Sequence, residues 1–377
     1  MSNMDAFDTL PVRTISSGIQ TGRWRAEDVA RHFLARIVAR EADVRAWCNF
    51  DPEPVLAQAR TIDMNGGSGP LLGIPVAVKD VFATADFPTA YGSPIYKGNR
   101  EASDAACVAL ARHNGALIMG KTVMTEFATI HPGETRNPLD LSRTPGGSSS
   151  GSVAAVADGM AMLAFGTQTA GSTIRPASYC GLAGYKPSFG LTPRAGLKLV
   201  SESFDTIGFI GRRVDDTALF AEAASGLPVS GISTQRPDPP RMAICRTREW
   251  AAAEPSTLEL ISAACDQLRA LGVGISELSL PADFDTLADA HWDILTFEAC
   301  RALAFERYTF PELCSTTLHK LFETGSAVSV SRYRSAQATA GKCRALFEQL
   351  MRESGVDAVI SPAAPGEAPV GIDNTGD

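Results

Sequence analysis

The stretch from Thr144 to Pro187, TPGGSSSGSVAAVADGMAMLAFGTQTAGSTIRPASYCGLAGYKP, limits what this chain can fold into more than any other. It holds two Gly/Ser turns, Gly146 to Ser152 and Ala170 to Thr173, separated by a segment rich in Ala, Val and Met. An apolar segment of that length reads as packed structure: a helix after the first turn, then a strand into the second. Such a unit brings Ser148 and Ser172, 24 positions apart, to one edge of a sheet.

The remaining pattern is that of an α/β chain. Apolar positions Val29, Phe33, Leu34, Ile37 and Val38 fall on one face of a helix over 25–41, and a second helix runs over 52–64 to a Gly-Gly-Ser-Gly breaker. LLGIPVAVKDVF reads as a strand apolar on both faces that ends at Lys79-Asp80. Ser103 is placed to cap a helix over 104–113, and a short strand covers 116–119. Beyond the central stretch, helices are expected over 215–224, 257–271, 284–307 and 331–353, with strands at 242–245, 275–280 and 357–361 and a polar loop at 231–240. Alternating strands and helices predict a mixed, mostly parallel sheet covered by helices on both faces, in a single domain over 1–377 with a helical insert at about 282–353.

Composition excludes several classes. The net charge is −8 and no basic cluster occurs, which argues against nucleic-acid binding through phosphate neutralisation. No uninterrupted apolar run reaches membrane-spanning length, and MSNMDAFDTL lacks the basic-then-apolar pattern of a signal peptide, so a cytoplasmic location is expected. Eight cysteines without a C-x-x-C pair are expected to be reduced core residues. The five scattered histidines show no ligand spacing, so neither a metal nor another cofactor is expected.

Two short patterns are poor guides. Gly115 to Thr122 fits G-x-x-x-x-G-K-T, but its variable residues Ala, Leu, Ile and Met suit a buried strand rather than an exposed phosphate loop. Gly147 to Gly151 fits G-x-S-x-G around Ser149, but the preceding NPLDLSRTP is a loop, and neither His291 nor His319 has a recognisable catalytic context.

A longer-range pattern is more specific. GIPVAVKD (73–80), KTVMTEFA (121–128), NPLD (137–140), GGSSSGS (146–152), GTQTAGSTIRPAS (166–178) and CGLAGYKPS (180–188) occur in this order. Together they resemble the amidase signature family, most densely over 71–191. The resemblance implies a triad of Lys79, Ser148 preceded by a cis peptide bond, and the nucleophile Ser172. Chemically, a serine needs a base to attack an amide, and a lysine can serve only if burial makes it neutral. Lys79, ending an apolar strand, would accept the Ser172 proton through Ser148. Thr169, Ala170, Gly171 and Ser172 would supply a backbone oxyanion hole, with Thr167 and Gln168 in support.

Departures bear on specificity. The usual GTDTGGSIR reads GTQTAGSTIR here, with Gln168 for Asp, Ala170 for Gly and Arg175 one place later. That variant looks like a malonamidase-like branch, which implies an arginine clamp, Arg175, on a small carboxylated amide. The family also continues beyond the TGD at the end of this sequence, so its C-terminal sheet elements are expected to be missing. Three functions follow: an amidase working on a small-molecule amide, with a homodimer allowed; the glutaminase (A) subunit of a tRNA-dependent amidotransferase, against which Gln168 and Arg175 speak; or an inactive truncated homologue that only binds ligand.

Overall fold

A computed structural model describes residues 7–227 and 239–376, which form two compact units. The first comprises residues 7–227, 305–318 and 368–376, and the second 239–304 and 319–367. In the first unit the order is α1 (Val12–Gln20), α2 (Ala26–Val44), β1 (Trp47–Phe50), α3 (Pro52–Asn65), β2 (Pro75–Lys79), α4 (Ala106–His113), β3 (Leu117–Thr122), α5 (Ser150–Ala157), β4 (Leu163–Gln168), α6 (Ile174–Tyr179), β5 (Ala183–Tyr185), β6 (Thr206–Gly211) and α7 (Val214–Ser225). β7 (Arg241–Cys245), α8 (Pro255–Ala270), β8 (Gly274–Leu278) and α9 (Leu287–Ala302) follow. Then come α10 (Ala304–Thr309), α11 (Thr316–Ala327), α12 (Val330–Ser354) and β9 (Ala358–Ile360).

The fold is α/β with mixed sheets, as the pattern predicts. Six strands form one sheet in the order β1-β3-β2-β4-β6-β5, and a separate three-stranded sheet, β8-β7-β9, lies in the second unit. In the larger sheet β2 pairs in parallel with both β3 and β4, while β1, β5 and β6 join antiparallel. Every residue of β2 is buried, which suits a central parallel strand with both faces covered. Phe165 of β4 packs against Phe82, Phe209 and Phe220 at ring-centroid distances of 5.4, 5.9 and 4.6 Å.

Local chemistry explains the helix starts. Asp51 caps α3 by accepting from Glu53 N at 3.0 Å, with Pro52 at the first helical position. Asp63 of α3 accepts from Ala26 N and Glu27 N, so the start of α2 is satisfied from outside the helix. Ser103 does not cap α4, which begins at Ala106 after Ala105 with no side-chain cap. Val38 is 72% exposed, because the buried stripe of α2 ends at Ile37 on that turn. The single helix expected over 284–307 is divided at Leu303, and α11, β1, β5 and β6 were not legible from local pattern. Residues 231–238 of the expected polar loop lie outside the described residues.

The topology gathers three strand ends. β2, β3 and β4 run in parallel, with Lys79 opposite Thr122 and Val78 opposite Phe165. Their C-terminal ends therefore share one edge, the usual position for a ligand site in such sheets. α5 starts there too, and Gly151 lets it approach: a Cβ on Gly151 would lie 2.2 Å from the Ala46 carbonyl oxygen and 2.6 Å from Val123 N. Both are backbone atoms. Gly151→Ala is expected to cost about 1–3 kcal/mol of stability through overpacking, seen as a lowered thermal midpoint; an unchanged midpoint would refute the close approach.

Candidate active site

Lys79, the last residue of β2, is wholly buried. Its Nζ donates to Ser148 Oγ at 2.7 Å, to Thr167 Oγ1 at 2.7 Å and to Ser149 Oγ at 3.2 Å. These hydroxyls come from the first Gly/Ser turn and from β4, so the parallel pairing of β2 and β4 creates the cluster. No carboxylate touches the amine among these contacts. Burial lowers the Lys79 pKa from 10.5 to about 7, with the charge of Asp205 acting in the opposite direction. An amine of that kind is substantially neutral near pH 7 and can accept a proton.

Ser148 is buried, and the peptide bond between Gly147 and Ser148 is cis. Ser149, the centre of the G-x-S-x-G match, does not stand exposed on an elbow. Its hydroxyl is buried against Lys79 and accepts from Thr167 N at 3.3 Å. Ser172 is half-buried, and its carbonyl accepts from Ser149 N at 3.3 Å, which ties the second turn to the first. No hydrogen bond joins Ser172 Oγ to Ser148 Oγ among the described residues.

The second turn is held by side chains around it. Gln168 Oε1 accepts from Thr173 N at 3.0 Å and Ile174 N at 3.1 Å, satisfying the start of α6. A glutamine can do this because its amide oxygen is an acceptor like a carboxylate oxygen. Thr169 Oγ1 donates to Asp205 Oδ1 at 2.5 Å. Among the described residues, the backbone N–H groups of Ala170, Gly171 and Ser172 donate to no protein acceptor. Arg175, on the first turn of α6, donates from Nη2 to the Gly147 carbonyl at 3.0 Å. Its guanidinium thus lies beside the peptide that precedes Ser148.

The phosphate-loop match is a strand. Residues 117–122 are β3, buried throughout, and Lys121 Nζ pairs with Asp80 Oδ1 at 3.1 Å while donating to Phe82 O and Thr89 Oγ1. Asp80 Oδ2 accepts from Ala90 N at 3.1 Å. Lys121 is a buried structural cation. Ser149 and Asp205 are the site neighbours that sequence reasoning missed. Ser149 was hidden in a run of serines, and Asp205 lies 33 positions after Ser172 with no local pattern to mark it.

Among the described residues no cluster of His, Cys, Asp and Glu is arranged to hold a metal, and no helix is long and apolar enough to cross a membrane.

The chain has counterparts among known proteins. Residues 28–374 match the Amidase family, and the chain belongs to it. The A subunit of glutamyl-tRNA(Gln) amidotransferase from Thermobifida fusca (strain YX) is 36% identical over 319 residues, or 78% of this chain and 64% of the relative. The chain therefore spans just under two thirds of that relative's length. A crystal structure of an amidase superposes with a TM-score of 0.88 at 28% identity, covering 96% of this chain and 83% of that one. A peptide amidase in complex with the competitive inhibitor chymostatin gives 0.82 at 26% identity, covering 98% and 87%.

Removing Lys121 would strand Asp80 in the core. Lys121→Met is expected to destabilise the chain by about 3–5 kcal/mol, measured by urea denaturation. A loss below one third of that would contradict the structural assignment.

Proposed function

We propose that this chain hydrolyses the C–N bond of a small amide through an acyl-enzyme on Ser172, with Lys79 as base and Ser148 as relay. The observation that carries the reading is the buried Lys79 amine, depressed to about 7 and 2.7 Å from the Ser148 hydroxyl. The Ser172 Oγ proton passes to Ser148 as the Ser148 proton passes to Lys79 Nζ, and the freed oxygen bonds to the amide carbon. The carbonyl oxygen becomes an oxyanion held by backbone N–H groups of 169–172. Protons return along the same path to the leaving nitrogen, the C–N bond breaks, and ammonia or an amine departs. Water then attacks the ester with the relay run again, which frees the carboxylic acid and restores Ser172. The relay needs a Ser172 to Ser148 contact, and catalytic hydrogen bonds commonly tighten only in the complex with substrate.

Arg175 supports a carboxylate-bearing substrate, as in the malonamidase-like branch. Its guanidinium lies three residues after the nucleophile and reaches the Gly147 carbonyl beside Ser148. A second reading has specific support. The curated relative from Thermobifida fusca is the A subunit of an amidotransferase, which favours a glutaminase acting within a complex more than Gln168 and the shifted Arg175 weigh against it. Glutamine is itself a carboxylated amide, so both readings require a group that holds a carboxylate. They differ in partner and in the fate of ammonia. Ammonia release from short dicarboxylic monoamides by the isolated chain supports the free amidase. Release from glutamine only in a co-purified complex supports the glutaminase.

Two measurements test the shared chemistry. Ser172→Ala is expected to abolish covalent labelling by an alkyl fluorophosphonate, and full labelling of that variant would falsify the nucleophile. Absence of labelling in the folded native chain would leave the ligand-binding homologue instead. The labelling rate should rise with pH and reach half its maximum near pH 7, because only neutral Lys79 accepts a proton and it is protonated below its pKa of about 7. A profile flat through neutrality would remove Lys79 as the base. Arg175→Ala should raise KM for carboxylated amides about tenfold or more and leave uncharged amides less affected.

A further inference from the structure

Asp205 is a buried carboxylate that the cycle above does not use. It immediately precedes β6, whose first residue, Thr206, pairs with Gln168 at the end of β4. One oxygen, Oδ1, accepts from Thr169 Oγ1 at 2.5 Å. The other, Oδ2, accepts from Val200 N at 2.7 Å and Ser201 N at 3.0 Å. Burial pushes the Asp205 pKa up, while the two backbone N–H donors and the Thr169 hydroxyl favour its ionised form. The segment it holds continues back along the chain that follows Lys79: Lys198 N donates to Val81 O, and Leu197 bridges Phe82. One carboxylate thus ties the turn after β4, the segment after β2 and the start of β6.

We infer that Asp205 is a positioning residue of the catalytic site, which fixes the 169–172 turn through the Thr169 hydroxyl. The inference rests on the proposed roles of Ser172 and Lys79. Thr169 is the first residue of the turn that would bind the oxyanion, and its hydrogen bond to Asp205 anchors its side chain there. A hydrogen bond from a hydroxyl to an ionised, buried acceptor is of the strong kind suited to that task.

The charge has a second consequence. Asp205, just before β6, is the charged group whose field favours the ammonium form of Lys79. The hydroxyls of Ser148, Ser149 and Thr167 face it from the turn before α5 and from β4. Asp80, next in sequence, is engaged with Lys121 of β3. Removing the Asp205 charge therefore lowers the pH at which Lys79 becomes neutral. A carboxylate remote from Lys79 would not move that pH.

The test uses the rate of alkyl fluorophosphonate labelling, which needs no knowledge of the natural amide. Asp205→Asn keeps the shape and removes the charge. It is expected to slow labelling at high pH about ten- to hundredfold, through a misplaced oxyanion site, and to move the acid limb of the profile to lower pH. Thr169→Val should slow labelling comparably without moving the limb, and Thr169→Ser should recover most of that loss. Native rates in both Asp205→Asn and Thr169→Val would overturn the inference, as would an acid limb that stays in place in Asp205→Asn. If Asp205→Asn does not fold, as judged by circular dichroism, the Thr169 pair decides: equal rates for Val and Ser overturn the positioning role. Ser172→Ala is run alongside. Labelling that persists in Ser172→Ala overturns the nucleophile itself, whereas labelling that depends on Ser172 but ignores Asp205 and Thr169 overturns only the inference made here.

Discussion

The burial of the Lys79 amine, without a contacting carboxylate among the described residues, is the interaction on which the candidate site depends. A buried lysine normally needs a counter-ion, since the charged form is poorly solvated in the interior. Here three hydroxyls surround Nζ, and the amine answers by giving up its preference for the charged state. The hydroxyls can donate to a neutral nitrogen or accept from it, so the cluster stays satisfied whichever way the proton sits. That two-way satisfaction is what a proton relay requires.

A second buried lysine lies on the neighbouring strand, and the contrast is informative. Lys121 stands opposite Val78 in β3, one register step from Lys79, and is equally buried. It finds Asp80, Phe82 O and Thr89 Oγ1, a set that includes a full negative charge. Burial also lowers its pKa, but the Asp80 carboxylate beside it pulls the other way. Two lysines of like burial, both with lowered pKa, thus differ in whether a carboxylate is in contact. The pairing of Lys121 with the residue after Lys79 also anchors the chain where β2 ends. Lys79 and this anchor are neighbours in space because β2 and β3 are paired in parallel.

Much of the candidate site is legible in the sequence. The run from Pro75 to Lys79 reads as a two-faced buried strand because parallel central strands have no solvent face, and the depressed lysine follows from its place at that strand's end. Ser148 and Ser172 could be named from ordered motifs that lie in turns. Other features were not legible. β5 and β6 have short or glycine-interrupted patterns, and their pairing is decided by the strand between them and the core. Ser149 and Ser148 are chemically identical in sequence, and only the direction of the backbone into α5 separates their partners. Asp205 carries no local signal, because its ligands are the hydroxyl of Thr169 and two N–H groups of its own loop.

Sequence alone determined the family, the α/β class and the residues proposed as base, relay and nucleophile, because those depend on period, composition and order along the chain. Tertiary structure decided which groups meet. It placed Lys79 against three hydroxyls instead of a carboxylate, turned Gln168 into the acceptor for the start of α6, and set Asp205 behind Thr169. The physical reason is that proton affinity and hydrogen-bond direction depend on burial and on partners remote in sequence, and those exist only once β2, β4 and β6 lie side by side.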